Sequence, residues 1–284
     1  MTDKITGFLF RTLSTLALYI ALMPVSLPVL AGASPWVNSD FSQIRLVAVS
    51  GSGGLVAGLH IRLEPGWKTY WRTPGDSGVP TIVDWSASKN ISVTGLRWPL
   101  PKRDIQAGYQ SFVYENEVVL PLKVGKSVNS DPVVLSANVD YAVCKEICVP
   151  LNAELKLETT PGVPARGDKV HKRLLDRFLA HIPSSGKNAG LQVVSSDLVT
   201  SGQEQTLTVT VAAKKALIKP EMFLEAPQPF TFSVPNKKLA ADGKSARFAF
   251  RVNGGIKKLS ITGKQVVITA GSGDRAVETT IVAR

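Results

Sequence analysis

The chain has 284 residues, and behind an N-terminal apolar segment roughly 250 remain, enough for one or two domains and too many to need a disulfide in place of a core. A formal net charge of +11 raises nucleic acid or an anionic membrane surface as partners. The basic residues, however, occur as singles and pairs such as Lys214-Lys215, Lys237-Lys238 and Lys257-Lys258, with no run of four or more, so they read as a solvated surface and exclude a nucleic-acid partner.

At the N-terminus, Lys4 and Arg11 precede the uncharged run "TLSTLALYIALMPVSLPVLAGA", which ends in the small residues Ala31-Gly32-Ala33. This is the pattern of an export signal, with cleavage expected after Ala33 and residues 1–33 removed. The alternative is an uncleaved membrane anchor, because residues 12–30 approach spanning length. Pro24, Pro28 and the small-residue exit favour cleavage, and no later segment is apolar for long enough to span a bilayer, so the expectation is an exported, periplasmic protein without stable membrane insertion.

Residues 34–159 are dominated by short runs rich in Val, Ile, Leu and Thr, separated by Gly, Pro, Asn and Asp. "QIRLVAVS" and "GLVAGLHIRLE" flank the turn signal "SGSGG" and predict a hairpin; "PTIVDW", "ISVTGLRW", "EVVLPLKV", "PVVLSANVDYAV" and "NAELKLETT" follow. About seven strands without intervening helical periods predict an antiparallel sandwich of immunoglobulin-like size. Within "YWRTPGDSG", Tyr70 and Trp71 read as core anchors, Pro74, Gly75 and Gly78 as turn formers, and Asp76 as a turn hydrogen-bonding group. His60 reads as a solvent-facing or hydrogen-bonded strand residue, and Glu115 and Glu117 as surface charges.

Residues 160–189 break the β pattern. "TTPGVPARGDKV" is rich in Pro and Gly, and Val170, Leu174, Leu175, Phe178 and Leu179 then recur at helical spacing, which predicts a linker carrying one helix, capped by Asp168 and ended at Pro183. Over 190–284 the strand pattern returns in "LQVVSSDLVT", "QTLTVTVAA", "FTFSVP", "ARFAFRV", "KLSITG", "KQVVITAG" and "AVETTIVA". The fold class is thus all-β: an immunoglobulin-like sandwich, a helix-containing linker and a second small β-sandwich, the last without Cys or His and read as a packing or docking module.

The chemistry is concentrated in "VDYAVCKEICVPLN", which holds both cysteines, Cys144 and Cys148. Export permits a disulfide. As a staple it would close so short a loop that chain entropy supplies only about 2 kcal/mol. As a metal clip the pair would need further N or S ligands, with His60, His171 and His181 the histidines on offer, so a Cu(I)-binding module stays open as an alternative. As a redox pair it would sit at the end of a β-hairpin, lacking the helix N-terminus that lowers a thiol pKa, and would suit an acceptor that a more reactive thiol reduces.

Three stretches, "GWKTYWRTPGDSGVPT", "GYQSFVYENEVVLPLKV" and "VDYAVCKEICVP", together resemble the N-terminal periplasmic domain of the thiol:disulfide interchange protein DsbD and its relatives among the suppressor-of-copper-sensitivity proteins. The resemblance implies an immunoglobulin-like domain whose cysteine pair is reduced by a thioredoxin-like partner and passes electrons to other exported thiol or disulfide proteins. Separately, no cofactor and no metal ligand set is expected, with Cu(I) on the same thiols as the alternative. By position the resemblance makes Cys148 the cysteine of the mixed disulfide and Cys144 its resolving partner, and it places a cap over the pair at Asp104 to Gln110, with Tyr109 as lid aromatic and Tyr141 as the aromatic before the first cysteine. The enteric form of DsbD has a longer gap between its cysteines, and acidic and aromatic cap residues that "IQAG" lacks. Lacking the polytopic segment and terminal thioredoxin-like domain of full-length DsbD, the chain is expected to draw electrons from a thioredoxin-like domain or membrane thiol transporter on a separate chain.

Overall fold

In the computed structural model, residues 32–51, 54–125, 132–165, 167–185 and 190–284 are described, so the expected signal segment lies outside them apart from Gly32 and Ala33. The strands of the first half are β1 (Val37–Asn38), β2 (Ser42–Gly51), β3 (Gly54–Leu63), β4 (Lys68–Gly75), β5 (Ile82–Asp84), β6 (Val93–Leu96), β7 (Lys102–Gln106), β8 (Tyr109–Glu115), β9 (Glu117–Val124), β10 (Val133–Cys144) and β11 (Cys148–Thr159). They form two antiparallel sheets, ordered β1-β2-β3-β9-β6 and β11-β10-β4-β8-β7, with β5 paired to β10. Alternation fills the space between them, where Ile44, Leu46, Leu59, Ile61, Trp71, Leu120, Leu135 and Val139 are fully buried. The predicted hairpin is β2–β3, registered from Ser42↔Leu63 to Gly51↔Gly54. Gly32 and Ala33, beside the expected cleavage point, pair with β2: the Ala48 N–H donates to the Gly32 carbonyl at 2.8 Å and Ala33 bridges Val47.

The helix α1 (Asp168–Leu179) forms where its spacing predicts, but two details differ. Gly167, in the left-handed region at φ 85°, is the N-cap residue, while Asp168 sits in the first turn and accepts the Ala165 N–H at 2.8 Å. The helix also ends at Ala180, before Pro183. Rather than bridging solvent, it lies on the outer face of the β2-β3-β9 sheet, with Leu175 fully buried against Val47, Val49 and Val119. Val170 stays exposed, because it falls on the solvent side of the same helix.

The second half contains β12 (Gln192–Ser201), β13 (Glu204–Ala212), β14 (Glu221–Glu225), β15 (Thr231–Phe232), β16 (Asn236–Leu239), β17 (Ser245–Asn253), β18 (Gln265–Ser272) and β19 (Arg275–Val282). One sheet runs β12-β13-β17-β15, with β16 also on β17, and the other runs β14-β18-β19. The expected strand "KLSITG" is turn and coil, and the unexpected "EMFLE" is β14. Met222 and Leu224 of β14 face the second core, whereas Phe223 between them enters the first, 5.7 Å from the ring of Trp71 and 5.0 Å from that of Phe112. A strand of the second sandwich therefore helps to close the first.

Candidate functional site

The β10–β11 hairpin is registered without a break from Val133↔Thr159 to Cys144↔Cys148. The two cysteines are thus directly opposed partners at its tip, with Cα atoms 4.1 Å apart and a disulfide between them. Direct opposition puts both side chains on one face, the outer face of the β11-β10-β4-β8-β7 sheet, where Cys144 packs on Tyr70, Val113 and Ala142. Cys144 is half-buried, while Cys148 and the loop residues Lys145, Glu146 and Ile147 are exposed.

The neighbour strand supplies the polar contact. Lys68 and Tyr70 alternate with Thr69 and Trp71 along β4, so Trp71 enters the core while Tyr70 lies outside beside the disulfide. The Tyr70 Oη lies 3.1 Å from the Cys148 Sγ, and since a disulfide sulfur carries no hydrogen, the phenol is the donor. Burial first, and the nearby Asp104 carboxylate second, push the Tyr70 phenol above its ordinary pKa, which keeps that donor protonated. Pro74 and Gly78 lie over the Tyr70 ring; a Cβ on Gly78 would stand 2.4 Å from the Pro74 Cβ and 2.6 Å from the Tyr70 Cδ1, so only glycine lets the loop lie so close.

Asp104 and Gln106 of β7 and Ser77 of the β4–β5 loop line a cavity of about 40 Å³ with Tyr70 and Cys144. Lys68 donates to the Asp104 Oδ2 at 2.7 Å and links β4 to the β7–β8 hairpin. The expected cap segment is thus this hairpin, turning at Ala107 and Gly108. Tyr109 opposes Gln106 across it and shares its face, but it stands at the tip, 62% exposed. Tyr141 goes elsewhere: three positions before Cys144 on an extended strand is the opposite face, and Tyr141 is buried in the core with its hydroxyl 2.9 Å from the Ser42 Oγ. The structure does not bring it to the sulfurs.

The histidines lie on the other sheet's side. His60 is fully buried, its Nε2 2.8 Å from the Glu117 Oε1 and its Nδ1 accepting from the Arg45 Nε at 3.3 Å. Burial lowers its pKa to about 4, so it is neutral at pH 7, and the bond accepted from Arg45 requires an unprotonated Nδ1. Glu117 is not a free surface charge, because it also takes Arg62 and Arg177, and these partners hold its pKa at about 2 against the opposing effect of burial. His171 and His181 are on and just after α1. Among the described residues no group of three or more Cys, His, Asp or Glu is placed to hold a metal ion.

The sandwich fold and the opposed disulfide, half-buried at Cys144 and exposed at Cys148, define a disulfide-bearing immunoglobulin-like domain. Residues 42–160 match the family model for the N-terminal domain of thiol:disulfide interchange protein DsbD. Residues 181–284 match a domain family of unknown function. The crystal structure of the N-terminal periplasmic domain of ScsB from Proteus mirabilis is similar over 89% of this chain and 98% of its own, at a TM-score of 0.69 and 23% identity, which extends the shared fold over both sandwiches. No curated protein matches the chain. Among the described residues no helix is long and apolar enough to cross a membrane.

Proposed function

We propose that the protein is a periplasmic thiol:disulfide exchange protein that relays reducing equivalents through Cys144 and Cys148. The signal ends near Ala33, residues 34–159 carry the chemistry, residues 160–189 link, and residues 190–284 form the second β domain. The observation that carries the reading is the position of Cys148, exposed at a hairpin tip in a disulfide whose other sulfur is half-buried and whose neighbour is a phenol donor. A thiolate of a thioredoxin-like partner attacks the Cys148 Sγ, the Cys144–Cys148 bond breaks, and Cys144 leaves as a thiolate that takes a proton. The partner's second thiolate then attacks the mixed disulfide, freeing Cys148; the partner has gained a disulfide, and this chain two thiols. The same steps run against an exported disulfide return the chain to its oxidised form. The donor is a thioredoxin-like domain or membrane thiol transporter on a separate chain, and the β7–β8 hairpin, with Tyr109 at its tip, acts as the lid that yields when the partner docks.

Cysteine variants test this directly. Cys148→Ser should abolish trapping of a mixed disulfide with a thioredoxin-like partner, and Cys144→Ser should lengthen the life of the trapped complex. Equal trapping by both would reverse the assignment of roles. A measured potential for the pair below about −300 mV, where structural disulfides lie, would remove the relay altogether.

A further inference from the structure

The β7–β8 hairpin has two faces, and the one turned from the disulfide is held by the second β domain. Register puts Arg103 opposite Phe112 and Ile105 opposite Gln110, so Arg103, Gln110 and Phe112 share the far face, while Asp104, Gln106, Ser111 and Val113 face the sulfur side. Arg103, with a side chain only 7% exposed, lies 5.1 Å and 5.0 Å from the ring centroids of Phe112 and Phe223. Its guanidinium donates to the Met222 carbonyl, to the Glu221 carboxylate at 3.3 Å and to the Gln110 Oε1. Gln110, 3% exposed, passes the contact on by donating its Nε2 to the Phe232 carbonyl. Each strand of the hairpin is thus tied to a backbone carbonyl of the second domain, Met222 for β7 and Phe232 for β8.

The anchoring extends to the neighbouring strand, β4, and the turn that follows it. The Gln110 N–H donates to the Asp76 Oδ2 at 2.9 Å, and the Asp76 N–H returns a bond to the Gln110 carbonyl at 2.7 Å. Gly75 allows this approach, since a Cβ there would meet the Gln110 carbonyl oxygen at 2.4 Å. On β4, Arg72 is clamped between Glu225 of β14 and Glu278 of β19, over the ring of Trp71, and Thr73 donates to Glu225. The second sandwich therefore holds Arg72 and Thr73, which follow Tyr70 and Trp71 on β4, as well as the hairpin that lines the cavity beside Cys144.

We infer that Arg103 and Gln110 are positioning residues through which the second β domain holds the β7–β8 hairpin against the Cys144 side of the disulfide, so that this domain sets how readily Cys144 is released when a thiol attacks Cys148. The inference rests on the reading of that pair as the exchanging site. Neither residue touches a sulfur; each acts by favouring the closed hairpin. A contact made equally in the oxidised and reduced states changes the rates of both directions together and leaves the equilibrium where it was.

The test uses the exported chain and dithiothreitol as reductant. Gln110→Ala should raise the rate of reduction of Cys144–Cys148 roughly fivefold, the factor that loss of one buried hydrogen bond gives. Reoxidation by oxidised dithiothreitol should accelerate by the same factor, the midpoint potential should not move, and backbone amides of Gln106 to Ser111 should exchange faster with deuterium. Arg103→Lys, which keeps the charge and loses the planar fork, should act in the same direction. If Arg103→Lys fails to fold, Gln110→Ala decides alone. Unchanged rates, or a rate change in one direction with a shifted potential, would overturn the inference. Because these rates are read with a small dithiol, they are independent of partner trapping: unchanged rates beside intact trapping defeat the clamp alone, whereas coupled acceleration without any trapping defeats the relay and leaves the clamp standing.

Discussion

The Tyr70 hydroxyl is 3.1 Å from the Cys148 Sγ and is kept protonated by burial, so it is placed to stabilise a thiolate there once the disulfide is reduced. A hydrogen bond to a charged group is worth about 1.5–3 kcal/mol, equivalent to about one to two units of thiol pKa. Tyr70→Phe should therefore raise the pKa of Cys148 in the reduced protein by about that much while leaving the fold intact, as measured by the pH dependence of iodoacetamide alkylation. An unchanged alkylation profile would reduce Tyr70 to packing. The sequence marks Tyr70 as a core anchor and misses its partner for a concrete reason. Seventy-eight positions separate Tyr70 from Cys148, and Pro74, Gly75 and Gly78 disguise β4 as a turn. Once β4 is a strand, the alternation in "KTYW" separates Tyr70 from Trp71. The same period-2 rule moves Tyr141 away from Cys144, so that residue's position was legible from spacing alone.

At the scale of elements, the polar cluster that fastens α1 to its sheet makes stability depend on pH. Arg177 of α1 bonds Glu117 of β9, which holds His60 of β3. His60 in the folded state titrates at about 4, below its ordinary 6.5, so between these values the unfolded chain binds a proton that the folded one refuses, and acidification destabilises the fold. Glu117 titrates at about 2 instead of 4.5, so the stability it contributes is present above 4.5 and fades as pH falls towards 2. The two effects have the same sign and adjoin, which predicts a continuous decline from pH 6.5 downwards, with a slope of at most ~1.4 kcal/mol per pH unit for each group. Burial also lowers the pKa of His171, with the same sign, so urea unfolding between pH 7 and 4.5 should show this slope in the parent chain and a clearly smaller one in His60→Gln; an equal slope in both would assign the acid sensitivity elsewhere. The helix itself was legible from apolar spacing, as were the long alternating strands β2, β3, β9, β10 and β11. The burial of His60 was not, because "GLHIRLE" shows alternation without showing that a helix from residues 168–179 covers the outer face.

At the scale of the whole molecule, β14 links the halves by presenting successive side chains to two cores. "EMFLE" carries no clear strand signal because it is only five residues long and bounded by acids, yet those acids make the interface. Glu225 takes Arg72 and Glu221 takes Arg103, while Phe223 fills the space beside Trp71 and Phe112. The β character of residues 190–284 was legible from local pattern; their docking depends on pairs more than a hundred positions apart, such as Arg72 with Glu225, and no local period encodes such pairs. A buried phenylalanine shared in this way should stabilise both sandwiches at once. Phe223→Ala should cost ~3–5 kcal/mol in all, by loss of transfer free energy and the cavity left behind. It should also replace a single calorimetric transition with two, because the ion pairs that remain are partly solvated and contribute little without the packed ring. A variant that loses stability yet still melts in one transition would show that the polar contacts of Arg72 and Arg103 suffice to couple the halves, with Phe223 serving only to fill the first core.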